Sequence, residues 1–387
     1  MSRRRCLPCI FLFLSLVHVH ATAADSSAKG KYLLYAGTYT DKGSKGIYAY
    51  QFNAASGEIT PLGIAAETTN PSFIEVNPTR RFLYAVNEVP KYKGADAGAV
   101  TAFAIDRKTG KLSALNQVAS RGADPCYIAF DKTGKFALVA NYTGGSVAVF
   151  PVAADGHIGD ASAFSQRTGS SVNKARQEGP HAHWIETTPD NRFAISVDLG
   201  LDELLVDRFD AKTGSLTPND PPAAKLDPGA GPRHLAFHPN GNFAYVVNEL
   251  ESTITIFSYD AIRGVLTKLN TVSTLPKGFS GSNDTAEIKV HPNGKFLFAS
   301  NRGHDSIVVF SIDSHSGALT LVAHFPTLGK TPRNFELDPT GSLLLVANQD
   351  TNNIVTFRID PNTGRLTPTG QTVQVPSPVC LKFTAVD

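Results

Sequence analysis

The chain has 387 residues, 42% of them hydrophobic and 18% charged, with a formal net charge of +2. This composition suits a soluble globular protein. So small a net charge, with no Lys/Arg tract beyond the first residues, excludes a general nucleic-acid binder and leaves any recognition of anions to a local cluster.

At the N-terminus, Arg3, Arg4 and Arg5 form a basic stretch and Ile10 to Val19 an apolar run of secretory length; Ala21, Ala23 and Ala24 offer the small residues of a cleavage site. The pattern predicts a signal peptide over 1–24, export to a periplasm or the extracellular space, and a mature domain over 25–387. The rival reading is an uncleaved anchor, but the run falls short of the ~20 residues a bilayer span requires. No later stretch is apolar enough to span, so no membrane association is expected once the leader is removed. Past the leader only Cys126 and Cys380 remain. Export permits a disulfide, yet both cysteines sit in similar strand-like contexts, and two buried free thiols are the preferred expectation.

From residue 31 the chain repeats itself. KYLLYAGTYT to GEITPL (31–62) supplies three strands of a four-strand unit, and PSFIEVNPTRRFLYAVNEV (71–89) opens the next unit. PCYIAFDKTGKFALVANYTGGSVAVFPV (125–152) follows, then the looser PHAHWIETTPDNRFAISVDLGLDELLVDRFD (180–210). PRHLAFHPNGNFAYVVNELESTITIFSYD (232–260), AEIKVHPNGKFLFASNRGHDSIVVFSID (286–313) and PRNFELDPTGSLLLVANQDTNNIVTFRID (332–360) complete the series. Each has a short apolar strand, a Gly-containing turn, a second strand ending in Asn or Asp, and an alternating third strand. A fourth strand follows a turn glycine: Gly57, Gly110, Gly156, Gly214, Gly264, Gly317 and Gly364, spaced 46 to 58 residues apart. Seven four-stranded units at this period predict an all-β, seven-bladed β-propeller. The first unit lacks an inner strand, whereas PVCLKFTAV (378–386) is an inner strand with nothing after it. Their pairing would close the ring and remove exposed sheet edges.

Alternating strand direction places the entries to inner strands and the loops after second strands on one face. There fall Gly179-Pro180-His181-Ala182-His183, Gly231-Pro232-Arg233-His234, Pro332-Arg333-Asn334, Asn141-Tyr142, Asn248-Glu249 and Asn301-Arg302-Gly303-His304. The long connections 153–180 and 273–285 open onto the same face as candidate lids. Loops on a rigid scaffold are the usual home of binding and catalysis.

In these residues the chain resembles the seven-bladed propeller lactonase family, which includes the bacterial 6-phosphogluconolactonases of propeller type and the fungal muconate-lactonizing enzymes. The stretch GAGPRHLAFHPNGNFAYVVNEL (229–250) carries most of the likeness, supported by the His181 segment and Ser300-Asn301-Arg302. A weaker likeness, through Tyr245-Val246-Val247-Asn248, is to YVTN-type surface propellers. The lactonase resemblance implies a site without metal or cofactor, made of His181, Glu249, Arg233 and Arg302. The export signal departs from the cytosolic phosphogluconolactonases and points to an unphosphorylated or carboxylated lactone.

Ring opening needs an activated water and a stabilised oxyanion. Glu249 or His181 could serve as general base, Glu249 being narrowly preferred. Arg233 and Arg302 could hold an anionic group or the oxyanion through paired N–H donors. Arg333, Asn248, His183 and His234 are further candidate substrate contacts, although a structural or supporting role is the preferred reading for the two histidines. His304 reads as structural, and His238 and His291 as turn formers on the far face. His181 and His183 could meet a metal from one strand, but no third ligand has convincing spacing. Asp202-Glu203 reads as a solvated turn, while Asn141 and Asn283 head glycosylation sequons. No G-x-S-x-G, phosphate loop or G-x-G-x-x-G is present, which excludes the common serine hydrolase, nucleotide hydrolase and dinucleotide-binding designs. The leading expectation is a monomeric lactonase acting on a small anionic lactone. A lactonizing cycloisomerase and a non-catalytic exported binding propeller are the alternatives.

Overall fold

The computed structural model describes residues 30–386, so the predicted leader lies outside the described residues. Twenty-eight strands form seven antiparallel four-stranded sheets. Six blades are continuous in sequence, spanning 74–119, 125–166, 182–225, 232–273, 284–326 and 332–374, and are numbered one to six here. In the seventh, Pro378–Ala385 is the inner strand and pairs with Lys31–Thr38, which continues into Gly46–Asn53 and Glu58–Glu67. The ends of the chain therefore close the ring as the repeat predicts. No helix among the described residues is long and apolar enough to cross a membrane.

Second strands are the most buried elements because both their faces are covered by neighbouring blades. Phe82–Asn87, Phe136–Asn141, Phe193–Asp198, Phe243–Asn248 and Leu343–Asn348 are buried at every position. The turn glycines explain how one blade seats on the next. A Cβ on Gly264, at φ +68, would come within 2.6 Å of the Phe193 ring in the preceding blade, and one on Gly156, at φ +90, would come within 2.4 Å of Phe82. Only glycine accepts both the left-handed backbone and the aromatic ring pressed against it.

The far-face turns join blades too. His238 accepts from Asn240 N at Nδ1, as a turn former should, and its Nε2–H donates across the blade boundary to Gly294 O. His291 repeats this with Asn293 N and Gly341 O. Cys126 and Cys380 are both buried free thiols. Asn141 is fully buried and donates to Ser120 O and Ser146 Oγ, so its sequon lies inside a blade where no glycan fits.

Candidate active site

The inner strands begin with an irregularity that aims side chains into the channel. Pairing with the second strand skips one residue, between Pro125 and Tyr127, Ala182 and Trp184, Pro232 and His234, and Pro332 and Asn334. The skipped residues are Cys126, His183, Arg233 and Arg333. A β-bulge leaves one residue outside the ladder and re-aims its side chain. Four blades thus present a chemically useful group at one ring of positions.

Glu249, one residue past the end of strand Phe243–Asn248, is the centre of the cluster. Its Oε1 lies 2.5 Å from Arg176 Nη2, and its Oε2 lies 3.0 Å from Arg233 Nε and 2.9 Å from Arg302 Nη2. Burial alone would raise this carboxyl, but Arg302, Arg233 and Arg176 overcome it and hold the group at about 2. Arg233 is buried, donates from Nη1 to Ala286 O, and loses proton affinity to about 10 through burial and the nearby Arg302 and Arg333. It remains charged at neutral pH. Arg302 Nη2 also donates to Thr285 O.

The flanking groups complete a wall. His181 stacks on Tyr142 with centroids 4.5 Å apart, its Nδ1 3.1 Å from Tyr142 O and its Nε2 3.2 Å from Glu178 Oε1. His183 packs edge-on against Tyr142 and lies 3.7 Å from Cys126 Sγ. Burial drives His183 well below the ordinary imidazole range and lifts the Cys126 thiol above its own, so both are uncharged. Opposite them, Arg333 Nη2 donates to Tyr39 Oη, which donates to both oxygens of Glu88. Glu88, Cys126, Tyr142, Arg176, His183, Glu249, Asp284, Arg302 and Arg333 line one cavity of about 290 Å³. That is at the lower edge of the volumes typical of small-molecule sites.

A family model for a seven-bladed β-propeller lactonase matches residues 33–383. The chain belongs to that lactonase family. The 6-phosphogluconolactonase of Bacillus subtilis is 38% identical over 353 residues, which cover 91% of this chain and 98% of that one. A 6-phosphogluconolactonase of Formosa agariphila is 38% identical over 79% of this chain and 86% of its own. The solved periplasmic gluconolactonase of Pseudomonas aeruginosa superposes with a TM-score of 0.86 at 35% identity, covering 92% of this chain and all of that one.

Within this family frame, the structure brings Glu249, Arg233, Arg302, Arg333 and His183 together, with His181 behind Tyr142. It places two other candidates elsewhere. The Asn248 amide donates to the Thr253 and Thr255 hydroxyls inside its blade, so its side chain faces away from the cavity. His234 is buried outside the lining of this cavity, where Nδ1 meets Glu287 Oε1 at 3.1 Å and Nε2 faces Arg233 Nη1 at 3.3 Å. Burial holds this imidazole down at about 4, so it is neutral: Nδ1–H donates to the carboxylate and Nε2 accepts from Arg233.

Asp202 corrects an expectation. It is not a solvated turn residue but a buried carboxylate accepting from Gly229 N, Gly231 N and Ser171 Oγ. It thereby shapes the loop that delivers Pro232-Arg233 and accepts Glu249 N at Gly231 O. Arg176, Glu88, Tyr39 and Asp284 were not singled out from sequence. Arg176 comes from the long 153–180 connection, whose position over the face was legible. Glu88 had a signal: Asn87-Glu88 occupies the place in blade one that Asn248-Glu249 occupies in blade four.

Proposed function

We propose that the protein hydrolyses an anionic or sugar-acid lactone at the mouth of the propeller channel, with 6-phosphogluconolactone and gluconolactone defining the substrate class. One observation carries this reading: three guanidiniums meet on the single Glu249 carboxylate, and two of them, Arg176 and Arg302, line with Arg333 the cavity that Glu249 faces. Glu249, Glu88 and Asp284 together offset at most three of these four charges. The surplus favours an anionic substrate and the oxyanion that forms as the ring opens, and fixed donors in a sheltered site need no reorganisation to do so. The names and coverage of the relatives support the same class of reaction.

In this reading Glu249 is the anchor that fixes the arginine planes, not the base. A carboxylate held at about 2, with both oxygens engaged, is a weak proton acceptor at neutral pH. His181 takes that role. Its Nδ1–H donates to Tyr142 O, while Nε2 faces Glu178 Oε1; that largely exposed side chain swings aside to admit water, whose proton Nε2 then takes. Water oxygen bonds to the acyl carbon as its proton passes to Nε2. The carbonyl electron pair moves onto the oxygen facing the arginines, and its return breaks the ring C–O bond to give the hydroxy acid. Export over 1–24 would place this activity among unphosphorylated lactones, as in the periplasmic P. aeruginosa relative.

The test is acid release followed by pH-stat with purified protein, using 6-phosphogluconolactone and its unphosphorylated parent. Release faster than spontaneous opening on at least one is expected. Release at the spontaneous rate on both would overturn the enzyme reading in favour of a non-catalytic binding propeller.

A further inference from the structure

The cavity holds a second carboxylate that the reading above leaves without a task. Glu88 follows strand Phe82–Asn87 as Glu249 follows Phe243–Asn248, and the two blades stand three apart in a ring of seven, so the carboxylates approach the cavity from nearly opposite sides. Their surroundings differ. Three arginines reach Glu249, whereas Glu88 meets only neutral hydroxyls, a bifurcated bond from Tyr39 Oη at 3.0 Å to each oxygen and the nearby Ser72. The positive charge of Arg333 meets the Tyr39 hydroxyl instead of the carboxylate. Tyr39 thus stands between Glu88 and the nearest cation.

We propose that Glu88 is the general acid of the reaction, delivering a proton to the ring oxygen as the lactone C–O bond breaks. The inference rests on the hydrolase reading, and supplies the step that reading lacks: an aliphatic ring oxygen is a poor leaving group unless protonated. Atoms balance. Water's proton goes to His181, Glu88 gives its proton to the departing alkoxide to make the product hydroxyl, and the two groups are restored by one proton exchange through solvent. The electrostatics agree, since burial raises the Glu88 carboxyl against the opposing pull of Arg333 and of the Ser72 and Tyr39 hydroxyls, while Asp124 adds to the rise. Tyr39, Arg333, Asp124 and the uncharged Cys126 are the titratable groups nearest it, and Glu249, Asp284, Arg176, Arg302, Tyr142 and the uncharged His183 line the rest of the shared cavity. Two carboxyls whose environments drive their proton affinities apart are a recurring arrangement for dividing electrostatic and proton-transfer duties.

The discriminating experiment varies the leaving group. Glu88→Gln keeps the shape and, through its carbonyl oxygen, one of the two Tyr39 contacts, but has no acidic proton to give. Its kcat on an aliphatic δ-lactone acid should fall at least ~100-fold, within the range of general acid–base contributions. On a carboxyl-substituted dihydrocoumarin, whose leaving oxygen is a phenol of pKa about 10, the loss should be less than about threefold. Equal losses on both lactones, or no loss on either, would overturn the proposal while leaving the hydrolase intact. A wild-type protein that opens neither would remove the hydrolase reading itself. Should Glu88→Gln not fold, or should wild type accept only the aliphatic lactone, Glu88→Asp decides through the pH profile. The alkaline fall of kcat should shift in that variant, and an unmoved profile would contradict the assignment.

Discussion

Glu249 and Glu88 show how far identical residue types at equivalent repeat positions can diverge. Both follow an Asn that ends a second strand, and only their neighbours set them apart. The arginine clamp makes a firm expectation for Glu249. Its folded-state value of about 2 lies below the ordinary 4.5, so its contribution to stability is present above about pH 4.5 and is lost as pH falls toward 2. Glu287, held at about 2 against its own burial by His234 and Lys289, adds to the same window. Urea midpoints of wild type should therefore fall steeply from pH 4.5 downward. Glu249→Gln should start lower at pH 7, since three guanidiniums lose their counter-charge, and should fall less steeply; parallel slopes would contradict the clamp. Arg233, Arg302, Glu249 and His181 were legible in sequence because they sit within or beside the repeat, where alignment of one unit on another assigns a face. Arg176 was not, because it lies in an irregular 14-residue stretch from 167 to 180 whose path no periodicity dictates.

Among the elements, the inner strands do the most to turn a repeat into a site. The strands and turns were readable from alternation and from Gly-containing turns. The bulges were not, since a skipped residue leaves no mark in hydrophobic pattern. For the same reason Asn248 read as a candidate contact: its place beside Glu249 is correct, but strand alternation turns its side chain into the blade, where Asn141, Asn301 and Asn348 are buried in the same way. The seventh blade gives the clearest expectation at this scale. Val379, Cys380 and Leu381 are buried in the strand that closes the ring. Losing that strand removes several side chains worth about 1.5–3 kcal/mol each, which is a large part of the 5–15 kcal/mol stability typical of a folded domain. Deletion of 378–387 should lower the thermal midpoint by well over ten degrees or prevent folding, whereas an unchanged midpoint would show that the ring does not depend on this closure.

Taken whole, the molecule is a ring whose far face is tied by repeated His–Gly and Tyr–Gly contacts and whose near face carries the variation. Tyr84 and Tyr245 donate to Gly156 O and Gly317 O in the adjoining blades, contacts that make the scaffold stiff where no chemistry occurs. On the near face, groups from blades one to six meet around a single cavity, with Arg176 arriving from the connection between blades two and three. That convergence is the central claim, and Arg302 tests it most directly. Arg302→Lys keeps a cation beside Glu249 but loses the planar pair of donors that an arginine offers to a carboxylate or oxyanion. Measured on the best lactone, its kcat/KM should fall on the order of 100-fold, the scale set by removal of one oxyanion donor, with a thermal midpoint within a few degrees of wild type. Undiminished turnover, or a loss of activity matched by an equal collapse of stability, would show that these arginines serve only to join the blades.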